Sequence, residues 1–243
     1  MLVAAAVCPC PPLLVPEVAA GAAPELDAAR AACTDALGVL AAARPDRLVV
    51  VGPGDLPGPE RYPESSRGSF RGFGVDLDVR LGRAGGRAGA GDARAERRLP
   101  YALAVAAWLL ERTGWADAPV EGVGVGEGLT PGDCARVGRE LAAGAERVAL
   151  LVMGDASACR TLKAPGYLDE RAAPFDAEVG RALGAADLSA LLALDTGLAR
   201  ELKVSGRAPW QVLAGAAEGA GLGGSLLFED APYGVGYAVA TWS

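Results

Sequence analysis

Residues 154–171 form a chemically varied polar segment in a chain otherwise dominated by Ala, Gly, Leu and Val. Asp155, Ser157, Cys159, Arg160, Lys163, Tyr167 and Arg171 crowd a segment that directly follows the apolar run at 148–153. An unbroken apolar run of that length, with polar residues on both sides, reads as a strand buried on both faces of a parallel sheet. In open α/β sheets ligands sit beyond the carboxyl ends of the strands, so the polar loop leaving it is the first candidate site. Three further polar clusters follow apolar runs: Cys8-Pro9-Cys10, Gly52-Pro53-Gly54-Asp55, and Glu229-Asp230 with Tyr233.

Each cluster suggests a chemistry and has a plainer alternative. Asp55, Asp155, Glu229 and Asp230 are carboxylates that could hold a hard cation or share a proton. Cys10 adds a thiol donor, so Cys10, Asp55 and Glu229 form the candidate metal set. Asp155, Ser157, Lys163 and Tyr233 form the candidate catalytic set, with Lys163, Arg160, Arg171 and Tyr167 also suited to an anion or a carbonyl. Cys8, Cys10 and Cys159 could instead grip a soft metal, as in a carrier or sensor. The plainer readings are turn-capping for Asp155, a salt-bridged surface loop for the basic residues, and buried small hydrophobes for the cysteines. Gly52-Pro53-Gly54 and the glycines at 122, 124 and 126 match neither a P-loop nor a dinucleotide fingerprint and read as turns.

Composition narrows these options. The 243 residues contain no histidine, which removes the Ser-His-Asp and Cys-His arrangements and every imidazole metal site. Acid–base work at neutral pH then falls to carboxylates, thiols, tyrosine or a perturbed lysine. A net charge of −7 leaves no electrostatic footprint for nucleic acid. Five cysteines, an odd number in a chain of this size, fit a reducing compartment. The apolar N-terminus lacks a basic leader and no apolar run approaches bilayer length, so the expected location is cytoplasmic with no membrane partner.

These residues need a scaffold. Strands are expected at 2–7, 48–51, 75–80, 120–125, 148–153, 225–228 and 235–240. Helices are expected at 17–43, 100–113, 130–144, 174–183, 188–203 and 209–220, with loops at 57–73 and 82–98. Strands alternating with helices imply one α/β domain over residues 1–243, with a central, mainly parallel (mixed) sheet and helices on both faces. If the strands are parallel, the four polar clusters meet at one edge of the sheet.

Four motifs resemble a known family. Val3 to Leu14 (VAAAVCPCPPLL), Val49 to Gly54 (VVVGPG), Leu151 to Ser157 (LVMGDAS) and Ala231 to Tyr237 (APYGVGY) fall in the order found in the class III extradiol dioxygenase subunit-B-like superfamily, with its Memo-like relatives. The resemblance covers nearly the whole chain and looks closest to the short, single-domain actinobacterial branch. It implies an α/β fold with a site at the strand ends, where active members hold ferrous iron with two His and a carboxylate and cleave a catechol with O₂. Here Cys10 occupies the first His position, Gly54-Asp55 the second, and Ala158 a third His position; Glu229 or Asp230 matches the carboxylate. The family's non-haem iron centre cannot form without His, leaving another divalent or soft metal, or none. The expected function is therefore that of a degenerate or atypical member binding a small molecule, aromatic by resemblance. The alternatives are an active metal-dependent oxidoreductase with a remodelled Cys/Asp/Glu site and a cysteine-based metal carrier or sensor. A homodimer is a further option.

Overall fold

A computed structural model describes residues 1–83 and 97–243. Most of the 82–98 loop expected from sequence lies outside the described residues.

The sheet begins with β1 (Leu2–Cys8), which ends where Pro9, Pro11 and Pro12 remove backbone donors. A short α1 (Pro16–Ala19) and a 3₁₀ segment (Ala20–Leu26) precede α2 (Asp27–Ala42), so the long helix expected from residue 17 starts ten residues later. Pro24 and Gly21 account for the delay, because neither supports a regular first turn. Next come β2 (Arg47–Gly54), β3 (Glu60–Tyr62), β4 (Arg67–Ser69) and β5 (Asp78–Arg80). The expected 57–73 loop thus contains two short strands. The alternating stretch at 75–80 contributes only its last three residues, paired with β4 in a separate two-stranded sheet.

The second half has α3 (Tyr101–Thr113), β6 (Val120–Gly126), α4 (Pro131–Ala142) and β7 (Val148–Met153). Thr130 caps α4 by accepting the Asp133 N–H, as its sequence suggests. Then follow α5 (Ala172–Gly184), α6 (Leu188–Leu192), α7 (Thr196–Glu201), α8 (Arg207–Ala216), β8 (Gly224–Asp230) and β9 (Tyr237–Trp242). The helix expected over 188–203 is two helices because Asp195 caps a fresh start, accepting the Leu198 N–H.

Seven strands form the central sheet in the order β3-β6-β2-β7-β1-β9-β8. The four inner strands β6, β2, β7 and β1 are parallel, and β3, β9 and β8 join antiparallel at the edges. This is the α/β architecture with a mixed, mostly parallel sheet that the alternating pattern implies. Every residue of β7 is buried, because α8 covers one face and α2 and α3 the other. At about 1.5–3 kcal/mol for each large apolar side chain removed from water, these two layers supply the main stabilisation. No helix among the described residues is long and apolar enough to cross a membrane.

Parallel strands have one physical consequence for function. The chain leaves β1, β2, β6 and β7 at the same rim, and the antiparallel β9 enters the sheet there.

Candidate functional site at the strand ends

Between Pro9 and Pro12 only Cys10 retains a backbone N–H. That group cannot join a ladder, and it donates to Asp155 Oδ1 at 2.8 Å. Asp155 reaches it because Gly154 continues the β1–β7 pairing by one step, donating its N–H to the Cys8 carbonyl at 3.0 Å. Gly154 is required here, since a Cβ would overlap the Gly206 backbone. The segment before α8 closes the other side. The Asp155 N–H donates to Ser205 Oγ at 2.9 Å, and the Gly206 N–H donates to the Asp155 carbonyl at 2.9 Å.

Two tyrosines complete the cluster. Tyr101, the first residue of α3, places its hydroxyl near Cys10 and Ser205, and Tyr237, the first residue of β9, lies near Asp155 and Cys10. Cys10 and Tyr237 are buried, Asp155 and Ser205 half-buried, and Tyr101 partly open to solvent. Five elements therefore contribute one polar group each to a small volume: the turn after β1, the turn after β7, and the starts of α3, α8 and β9.

Desolvation sets the protonation states. Burial raises the Asp155 carboxyl to about 7, against the opposing pull of the Cys10 N–H and thiol. Burial also pushes the Cys10 thiol well above its ordinary value, with the Asp155 charge adding to the effect and the Ser205 and Tyr101 hydroxyls opposing it. Tyr101 is raised by the neighbouring Cys10 and by burial, and Tyr237 chiefly by burial. At neutral pH the cluster is thus a set of O–H, N–H and S–H donors around one carboxyl poised between its two forms. Asp155 is the group of the cluster suited to gain or lose a proton near neutrality. It is poorly suited to nucleophilic attack by Cys10, because the reactive species is the thiolate.

The remaining expected site residues separate from this cluster. Asp55 is exposed beyond β2, on the side of Tyr62, whose hydroxyl burial and Glu60 push up to about 12. Glu229 lies on β8 with its carboxylate against Gly180 of α5. The irregularity between Leu226 and Phe228 shifts the strand's alternation, and β9 separates β8 from β1. The expected metal set of Cys10, Asp55 and Glu229 is not assembled, and among the described residues no three His, Cys, Asp or Glu side chains meet. An iron centre of the expected kind does not fit the donors present, a protonated thiol and one carboxyl whose Oδ1 already accepts an amide. The three cysteines of the carrier reading also stay apart. Cys8 packs on Cys33 of α2, while Cys159 belongs to the core layer on the opposite face from Cys10.

Ser157 is a support rather than a reacting group. It is fully buried, its hydroxyl donates to Asp176 Oδ2 at 2.8 Å and its N–H to Asp176 Oδ1 at 2.8 Å. Arg160 closes the same network on Asp176 at 3.0 Å. Ser157→Ala is expected to lower stability by about 1–2 kcal/mol through the lost buried hydrogen bond, read from the urea unfolding midpoint. An unchanged midpoint would contradict the supporting role. Lys163 and Tyr233 line a separate cleft with Thr161, Leu162 and Pro232. Arg171 is held by Asp169 and Glu201, Tyr167 is exposed, and Asp230 caps its own turn through the Ala231 N–H.

Tyr101, Ser205, Tyr237 and Asp176 are the residues that sequence reasoning passes over. Tyr237 closes the Ala231–Tyr237 motif and Tyr101 follows Pro100 at a helix start, so both positions carried a local signal. Ser205 and Asp176 carried none, since only the packing of α8 and α5 brings them to the rim.

No family model and no curated protein matches the chain. Among solved structures it is similar to the crystal structure of uncharacterized protein JW3007 from Escherichia coli K12, with a TM-score of 0.56 and 13% sequence identity over 99% of this chain and 100% of that one. A likeness at that identity shows the α/β fold, and it spans both chains from end to end.

Proposed function

We propose that this chain is a histidine-free relative of the class III extradiol dioxygenase subunit-B-like proteins that binds a small oxygen-bearing molecule at the strand ends, without the iron centre of active members. One observation carries the reading: the Cys10 N–H to Asp155 Oδ1 contact at 2.8 Å, which joins two motifs of the resemblance at the rim where the sheet rule places ligands. Tyr101, Ser205 and Tyr237 add hydroxyls around it. Such a set recognises a phenol, an enol or a carbonyl through directed hydrogen bonds, and Asp155 supplies the one group able to change charge near neutrality.

The test uses catechol as the probe, with chelator present, followed by amide chemical shifts. Shifts are expected at Cys10, Asp155, Tyr101 and Tyr237, and about tenfold weaker binding in Tyr101→Phe, the loss of roughly one ligand hydrogen bond. Absence of shifts at this rim sinks the binding reading. Stoichiometric ferrous iron in the purified protein together with O₂ uptake on catechol sinks the claim that the iron centre is gone.

A further inference from the structure

The cleft beside the strand-end cluster has features that the cluster does not use. It measures about 580 Å³ and lies between the 161–164 turn and the 231–234 turn, lined by Thr161, Leu162, Lys163, Pro232 and Tyr233. Its two walls are pinned together. The Arg160 N–H donates to the Gly234 carbonyl at 3.0 Å, and Gly234, at φ 74°, lets Thr161 and Ala164 pack where a side chain would stand. The 161–164 turn is itself closed by Ala164 N–H to the Thr161 carbonyl at 3.1 Å. The opening is therefore built by backbone contacts.

Charge is distributed unevenly around it. The other basic residues of this loop are committed: Arg160 to Asp176, and Arg171 to Asp169 and Glu201. Lys203 donates to the Pro165 carbonyl at 3.5 Å. Lys163 is exposed and is the cation of the cleft lining. Tyr233 also lines the cleft, with its hydroxyl oxygen shielded from solvent and Glu25 and Arg30 nearby. Leu162, Pro232 and the Tyr233 ring supply apolar surface in the same lining as Lys163.

From this geometry we infer that the cleft binds a small organic monoanion with an apolar body, its carboxylate on Lys163 and Thr161 and its body against Leu162, Pro232 and Tyr233. The site is separate from the Cys10–Asp155 cluster and does not depend on the function proposed for that cluster. Lys163 gives the preference for charge, and the Leu162, Pro232 and Tyr233 surfaces give the preference for an apolar body.

Hexanoate and hexanol, which share an apolar body and differ in charge, are the probes, titrated into the full-length protein and followed by amide chemical shifts. Hexanoate is expected to shift Thr161, Leu162, Lys163, Tyr233 and Gly234, and to bind about fivefold more tightly than hexanol, the scale of one exposed ion pair. Lys163→Gln is expected to abolish that difference, Lys163→Arg to keep it, and Asp155→Asn to leave it unchanged. Equal binding of the two probes, unchanged preference in Lys163→Gln, shifts confined to other surfaces, or no shifts at all would each overturn the inference. Loss of catechol binding in the strand-end test with hexanoate binding retained would count against the proposed function alone.

Discussion

Asp155→Asn is expected to be more stable than the parent protein at pH 8 by about 2–4 kcal/mol, and the advantage should shrink towards pH 5. The physical reason is desolvation of a carboxyl whose native-state value lies at about 7, compared with about 3.9 in an unfolded chain. The native state holds the proton more tightly, so its contribution to stability is fully present below the unfolded value. It is lost as pH rises towards the native one. Asparagine mimics the protonated form and can still accept the Cys10 N–H, so it keeps the contact without the buried charge. The lower end of the range allows for the residue's partial exposure. Urea unfolding of both proteins at pH 5, 6.5 and 8 reads the difference directly. A difference that stays flat with pH, or that favours the parent protein as pH rises, would show that Asp155 is an ordinary solvated carboxylate.

The second large effect concerns the layer that carries Ser205. α4 and α8 cross over two glycines, where a Cβ at Gly138 would overlap the Val212 carbonyl oxygen and one at Gly215 would overlap the Ala135 backbone. Because the obstructing atoms are main chain, no rotamer change relieves them, and the helices must separate. Gly138→Val should cost about 3 kcal/mol or more, from overpacking plus the low helix propensity of a β-branched residue, and lower Tm by roughly 10 °C. Gly38 supplies the control. It lies mid-helix in α2 with nothing within 4 Å of its missing Cβ, so Gly38→Ala should stabilise by up to about 1 kcal/mol. Thermal unfolding of the pair separates close packing from propensity. A neutral Gly138→Val would contradict this close approach of α4 and α8.

The fold was legible where burial and period agreed. The run at 148–153 became β7 with the same ends, and the Thr130-Pro131 start of α4 appeared where capping chemistry placed it. The 57–73 stretch was less legible, because three-residue strands such as β3 and β4 are too short to display a period. Side-chain direction on β8 was not legible at all. A one-residue irregularity reverses the face, which sets Glu229 against α5, and β9 stands between it and β1.

What the sequence alone determined is the list of available chemistry and the polar turns that follow its apolar runs. The absence of histidine follows from the sequence alone, as does the lone N–H between prolines at Cys10 and the polar turn that follows a doubly buried strand. Tertiary structure decided which of those groups meet. It joined Cys10 to Asp155, brought Tyr101, Ser205 and Tyr237 to them, turned Ser157 inward onto Asp176, and left Asp55 and Glu229 elsewhere. The reason is that residue type and local period are properties of neighbouring positions. Convergence depends on strand order and register, which arise only when distant segments pack.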